Sequence, residues 1–328
     1  MAEPPGRNMA LELVRVTEAA AMAAGRWMGR GERDRVDHAA VQAAHLMLSQ
    51  LDMEGVVVIG EGDKDSASML YTGERLGSAK QPRLDIAIEP VDGTRLTALG
   101  WPGAASVAAL AERGTMFDPG PLQYMEKLAV GPEAREVVDL NASVEENLRR
   151  IAKAKRMDVR DLTVMVLDRP RHMELIEQIR AVGARIRLIH DGDVAAAVYT
   201  ALPDSGIDVL MGIGGAPEAV LAACALRCLD GEILCRPYVR GEEERSYLKR
   251  LGIEEGQVLR AADLVKGKDI FFAATGVTDG EVLEGVKYFG AGAKTHSIVA
   301  RSKTGTLRVM YATHRWDRLM EISEIAYT

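Results

Sequence analysis

The chain has 328 residues, 47% of them hydrophobic, with 41 Lys and Arg against 48 Asp and Glu for a formal net charge of −7. That length can bury a substantial core and divide into about two domains. The acidic balance argues against a nucleic-acid partner, which would need clustered Lys and Arg, and it means that any site for an anion must be compensated locally, as divalent cations held by carboxylates can do.

The N-terminal run Met1-Ala2-Glu3-Pro4-Pro5-Gly6 lacks a cationic segment followed by an apolar one. No stretch approaches the ~20 apolar residues of a membrane span, so a cytoplasmic protein without membrane contact is expected. A run rich in Ala, Leu, Val and Met predicts a long helix over 9–28, ended by Gly29-Arg30-Gly31-Glu32-Arg33-Asp34. The stripe Ala40, Val41, Ala44, Met47, Leu48 and Leu51 predicts a second helix over 37–51. Asp37 then stands at its N-terminal end, where an Asp also serves as a simple cap. The β-branched run 56–59 stops at Gly60-Glu61-Gly62, which reads as a buried strand delivering Glu61 into a glycine-flanked turn. Leu84, Ile86 and Ile88 alternate with Asp85, Ala87 and Glu89, a strand that ends in Pro90-Val91-Asp92-Gly93. A third strand of the same sheet is expected over 104–111, followed by a loop over 114–121.

Near Asn141 the pattern changes to a charged helix through Lys155, then to strand and helix units with strands at 163–167, 185–189, 208–211 and 269–273. Segments 294–300 and 306–314, joined through Ser302-Lys303-Thr304-Gly305, read as a closing hairpin. The expected architecture is α/β, with domains 1–157 and 158–328. The three cysteines, Cys224, Cys228 and Cys235, are an odd count without a further zinc ligand at suitable spacing. They read as buried small apolar residues of a reducing compartment.

The segment Glu89-Pro90-Val91-Asp92-Gly93-Thr94 sets two carboxylates on either side of a Pro-fixed turn, and Gly93 permits close backbone approach. Hard cations such as Mg2+ and Mn2+ take oxygen ligands, which Glu61, Glu89 and Asp92 would supply. Thr94, at a helix start, would orient an attacking water while nearby N–H groups hold a phosphate. The same residue types also build ordinary turns, and Asp191 and Asp193 after a predicted strand have that structural reading too. Pro217-Glu218 at a helix start could be a pairing with the helix dipole. Gly212-Ile213-Gly214-Gly215 follows a predicted strand but lacks the spacing of a dinucleotide loop. Neither His172 nor His190 is assigned to catalysis.

Taken together, the chain resembles the class II fructose-1,6-bisphosphatases, a branch of the lithium-sensitive, metal-dependent sugar phosphatases. The resemblance runs over almost the whole chain, through 12–20, Trp27-Met28-Gly29-Arg30-Gly31, Gly60-Glu61-Gly62, Tyr124-Met125-Glu126-Lys127, Pro170-Arg171-His172, Asp191-Gly192-Asp193-Val194-Ala195-Ala196 and 212–218. It implies a layered fold of two mixed α/β domains with the active site at their junction, and release of the 1-phosphate of fructose 1,6-bisphosphate to give fructose 6-phosphate, a gluconeogenic reaction. It implies Asp37, Glu61, Glu89, Asp92 and Glu218 as metal ligands for Mn2+ or Mg2+, and Thr94 with Glu61 as the catalytic groups. Asp92, Gly93, Thr94, Tyr124, Arg169, Arg171, Asp191, Gly192, Asp193 and Gly215 correspond to substrate contacts. A homo-oligomer, dimer or tetramer, is also implied. The chain departs from the family pattern where Glu89 replaces an Asp, Glu32-Arg33-Asp34 replaces Asp-Lys-Asn, and Asp63 replaces a Glu. Competing readings are a sedoheptulose 1,7-bisphosphatase, another sugar or inositol phosphatase, a non-catalytic sugar-phosphate-binding regulator, and a nucleotide-dependent oxidoreductase.

Overall fold

A computed structural model describes residues 7–62, 67–322 and 325. The chain begins with α1 (Ala10–Gly25), α2 (Arg33–Ser49), β1 (Glu54–Ile59), β2 (Arg75–Leu76), β3 (Arg83–Asp92), α3 (Thr94–Leu99) and β4 (Ala105–Glu112). There follow β5 (Tyr124–Val130), α4 (Val144–Lys155), β6 (Thr163–Leu167), α5 (Met173–Val182), β7 (Arg185–Ile189), α6 (Asp193–Tyr199), β8 (Val209–Gly215), α7 (Ala216–Cys228), β9 (Glu232–Pro237), α8 (Glu242–Leu251), β10 (Leu259–Arg260) and α9 (Ala261–Leu264). The last elements are β11 (Phe271–Gly276), β12 (Lys287–Phe289), β13 (Gly292–Arg301), β14 (Thr306–Arg315) and α10 (Trp316–Ile322).

These elements form two compact units, one made of the residues up to Met116 with those from Gly267 onward, the other of Phe117–Lys266. The first unit is therefore discontinuous in sequence. The expected division between residues 157 and 158 falls inside the second unit. Strand β11 and the hairpin β13–β14, expected in the C-terminal domain, complete the first unit's sheet instead.

That sheet runs β12-β13-β11-β4-β3-β1-β2, with β14 on the far side of β13. Only β1 and β3 among its paired strands are parallel. Alternation along the strands sends Leu84, Ile86, Ile88, Ala108, Leu110 and Ala273 to one face, where they bury against the apolar sides of α1 and α2. Thr17 of α1 enters this core without leaving its hydroxyl unpaired, since it bonds Thr275 at 2.8 Å and Thr275 bonds Ser297 at 2.8 Å.

The second unit's sheet runs β10-β9-β5-β8-β6-β7. Strand β6 is parallel to both neighbours, and the remaining pairs are antiparallel. Helices α4 and α5 bury Leu148, Ile151, Ile176 and Ile179 against Leu128, Val164, Val166 and Met211. Helix α4 starts where the Ser143 hydroxyl accepts the Glu146 N–H at 3.2 Å, and carries acids in its first turn and lysines in its last, as the helix dipole favours. Helices α6 and α7 pack on one another and on β8 and β9. No described helix is long and apolar enough to cross a membrane. The three cysteines are buried, as expected of small apolar side chains.

Candidate active site

In the first unit the acidic residues collect where β1 and β3 end. Neighbouring parallel strands end at the same edge of a sheet, about 4.8 Å apart. The pairing ends where Ile59 meets Ala87, and Glu61 and Glu89 each lie two residues further along their chains, Glu61 in the bend beyond β1 and Glu89 still within β3. Beyond Glu89, strand β3 carries a bulge: Glu89 pairs with Val107, yet Asp92 pairs with Ala105. Three steps on one strand match two on the other, so Glu89 and Asp92, which a regular pleat would send to opposite faces, emerge on the same face. Pro90, which has no N–H to give to a ladder, sits in this irregularity. Gly93 follows in the left-handed region (φ 101°), turning the chain into α3, whose first residue is Thr94. The Thr94 hydroxyl rests on the Val91 carbonyl at 3.2 Å.

Asp37 reaches this end of the sheet from α2, which packs on β3 and α3. The helix begins at Arg33, so Asp37 lies a full turn inside it and caps nothing, which removes the bland reading of this residue. Burial raises the Asp37 carboxyl, helped by the neighbouring Asp34 charge and opposed by His38. Burial also pushes Glu61 up to about 7, with the Asp37 charge adding to it. Neither acid forms an ion pair with a described Lys or Arg.

In the second unit the predicted residues gather around the first turns of α6 and α7. Asp193 opens α6 behind Gly192, and Glu218 is the third residue of α7. Between them lies Lys127 of β5, 3% exposed, whose ammonium bonds Asp193 Oδ2 at 2.7 Å. A Cβ on Gly214 would stand 1.9 Å from Asp193 Oδ2, and one on Gly215 would stand 1.8 Å from Glu218 Oε2. The two carboxylates therefore lie directly on the backbone of the glycine turn, and a larger residue at either glycine would force them to shift. Glu218 Oε2 is buried without a hydrogen-bond partner. Burial raises the Glu218 carboxyl, as does the Asp193 charge, while Lys127 opposes both.

Tyr124, at the start of β5, pairs across the sheet with Gly215. The guanidinium of Arg171 lies 5.5 Å from the centre of its ring. Arg169 and Arg171 diverge: Arg169 pairs with Asp191 at 2.5 Å, while Arg171 donates from Nε and Nη2 to the Ile213 carbonyl at 3.2 and 2.7 Å. His172 is structural. Its Nδ1 lies 2.7 Å from the Leu167 carbonyl and its Nε2 accepts the Ile213 N–H at 2.8 Å, so the neutral Nδ1–H form bridges β6 and β8, and burial lowers its basicity.

The structure thus brings together Asp37 with Glu61, Glu89 with Asp92 and Thr94, and Asp193 with Glu218. Among the described residues, no group of three or more His, Cys, Asp or Glu side chains is set to hold a metal ion. Asp63 lies outside the described residues. Sequence reasoning missed a function for Lys127 and for Arg240, whose guanidinium lies 5.1 Å from the Tyr124 ring. The signal for Lys127 was a lone charge entering the apolar run 128–130. Each unit taken by itself offers carboxylate oxygens, the donors a hard divalent cation takes: in the first Asp37 and Glu61 are partly desolvated together, and in the second Glu218 Oε2 is buried without a hydrogen-bond partner.

An α/β chain that places desolvated carboxylates at strand ends and guanidinium groups around an aromatic ring has the parts of an enzyme acting on an anionic substrate. A family profile described as bacterial fructose-1,6-bisphosphatase, glpX-encoded, matches residues 7–314. The fructose-1,6-bisphosphatase 1 class 2 of Escherichia coli K12 is 43% identical over 325 residues, covering 95% of this chain and 96% of that one. The class 2 fructose-1,6-bisphosphatases of Escherichia coli O6:H1 and Shigella flexneri show the same 43% identity and coverage. The chain belongs to the class II fructose-1,6-bisphosphatase family.

Proposed function

We propose that the protein is a divalent-metal-dependent phosphatase that hydrolyses fructose 1,6-bisphosphate to fructose 6-phosphate and inorganic phosphate. The observation that carries this reading is the placing of Glu61 just beyond β1 and of Glu89, Asp92 and Thr94 at the end of the neighbouring parallel strand β3, in a chain of this family. Asp37, Glu61, Glu89, Asp92 and Glu218 are the proposed ligands, for Mn2+ or Mg2+. When bound, the metal supplies positive charge against the phosphoryl oxygens and the departing oxygen. Thr94 and Glu61 orient the attacking water in line with the breaking P–O bond, and the glycine-turned start of α3 presents N–H groups to the phosphate. Tyr124 and Arg171 receive the second phosphate. Arg169, held by Asp191, lines the sugar with Gly192, Asp193 and Gly215. The cytoplasm and a homo-oligomeric state are the proposed setting, in gluconeogenesis.

Phosphate release decides this against its rivals. A panel of fructose 1,6-bisphosphate, sedoheptulose 1,7-bisphosphate and inositol monophosphate, with Mn2+ or Mg2+ and with Asp92→Asn and Thr94→Ala as controls, should give the highest kcat/KM for fructose 1,6-bisphosphate. Binding without release under either metal would instead mark a regulator.

A further inference from the structure

Two arginines of the second unit share one aromatic ring. Arg171 and Arg240 both lie over the Tyr124 ring, at 5.5 and 5.1 Å from its centre, and neither forms an ion pair with a described acid. Their neighbours are all paired: Arg236 with Glu126 at 3.3 Å, Arg169 with Asp191 at 2.5 Å, Arg245 with Glu242 at 2.7 Å and Glu255 at 2.5 Å. In a chain of net charge −7, the two guanidinium groups share one ring without an ion pair of their own, although the Glu244 charge acts on Arg240. The ring's face attracts each of them, but it compensates charge less well than an anion would.

Arg240 is also anchored. The Tyr238 N–H donates to the Tyr124 carbonyl at 3.0 Å, which ties the stretch after β9 to the first residue of β5. Glu244 of α8 then accepts from the N–H of Arg240 and, at 3.2 Å, from that of Gly241. The backbone that carries Arg240 is thus held on both sides, while its guanidinium is left exposed beside Tyr124.

We infer that Arg240 is a substrate-binding residue that closes, with Arg171 and Tyr124, a two-guanidinium clamp on the phosphate that is not cleaved. Arg169 is left out of the clamp because its charge is engaged by Asp191. The inference rests on the reading above that Tyr124 and Arg171 face the substrate. Planar guanidinium groups match phosphate oxygens two at a time, and an aromatic ring between two of them keeps both oriented. The clamp predicts discrimination: a sugar monophosphate lacking the distal group gains nothing from it.

Calorimetric titration with fructose 6-phosphate, which retains the distal phosphate and requires no turnover, tests the clamp directly. Arg240→Gln should weaken binding on the order of 10- to 100-fold, the scale of a lost charge-assisted contact. Arg240→Lys should recover part of it. Arg245→Gln, an equal change in net charge at a paired arginine, should bind as the parent does. In steady state, Arg240→Gln should raise KM for fructose 1,6-bisphosphate with little change in kcat and shrink the preference over glucose 1-phosphate. Unchanged fructose 6-phosphate binding in Arg240→Gln, equal weakening in Arg245→Gln, or no binding by the parent protein would each overturn the clamp. Phosphate release from fructose 1,6-bisphosphate is read separately, so the phosphatase assignment can stand while the clamp fails.

Discussion

Asp37 and Glu61 in the first unit, and Asp193 and Glu218 in the second, are both pairs of carboxylates partly withdrawn from water, yet they are compensated differently. In the second unit the Lys127 ammonium, itself buried, bonds Asp193 and counters the charge of Glu218. In the first, Asp37 raises Glu61 and no described Lys or Arg pairs with either. Desolvated charges of one sign are costly unless a counter-charge is built in or arrives from outside. The second pair has a built-in counter-charge in Lys127, and the first has none among the described Lys and Arg. A protein that requires a divalent ion should therefore lose function, more than fold, when the ion is removed.

The largest effects should fall on turnover. Chelation with EDTA should abolish phosphate release, and added Mn2+ or Mg2+ should restore it. Thr94→Ala should lower kcat on the order of 10²- to 10³-fold with KM nearly kept, since its hydroxyl acts on the attacking water. Turnover in EDTA at the untreated rate would remove the reason for distinguishing the two pairs.

Next in size is the loss of the built-in cation. Lys127→Met leaves Asp193 and Glu218 buried without a counter-charge and should cost roughly 3–5 kcal/mol in denaturant unfolding, the range for breaking one side of a buried pair. Glu218→Gln on the same background should return part of this. A Lys127→Met protein as stable as its parent would mean that the ammonium is not what holds this turn.

The first pair should show itself as a pH dependence of the opposite kind. Folded, Glu61 titrates at about 7 against an ordinary 4.5. Between those values the folded state holds a proton that the unfolded chain has released, so the metal-free protein loses stability as pH rises from about 4.5 to about 7 and levels off above. The full loss is on the order of 2–3 kcal/mol, with the raised Asp37 acting in the same direction. Glu61→Gln should flatten the slope. Urea unfolding in EDTA at pH 5 and pH 7.5 measures it, and a stability that rises between them would contradict the assignment.

Much of this was legible in the residues. The alternation of Leu84, Ile86 and Ile88, the β-branched run before Gly60 and the acidic turns after both gave the two neighbouring strands that Glu61, Glu89 and Asp92 follow or end. What stayed hidden depended on distant pairing. The domain division was misplaced because β11, β13 and β14 join β4 from across an insertion, and local periodicity carries no record of its partner strand. Strands β5 and β9 were missed because each mixes charges into a short apolar run, Lys127 in one and Glu232 and Arg236 in the other. The bulge at Pro90 needed the register with β4 to be seen. Helix α2 started earlier than predicted because the polar run 33–35 propagates a helix as readily as it ends one.

The smallest effects should come from the cysteines, where the second unit again shows how burial decides chemistry. Burial pushes the Cys235 thiol up to about 12, with Lys127 too weak a counter-influence, so almost no thiolate exists at neutral pH. Cys224 and Cys228 lie on one side of α7 at full burial, which suits small apolar side chains and offers a metal no access. Replacing Cys224 by Ala removes little more than one buried sulfur and should cost about 1 kcal/mol, with kcat and KM unchanged. Iodoacetamide at pH 8 should leave all three thiols unlabelled in the native protein and label them in urea. Rapid native labelling at Cys235 would show that the buried surroundings of Lys127 open to solvent, and would weaken the contrast between a pair that carries a counter-charge and one that does not.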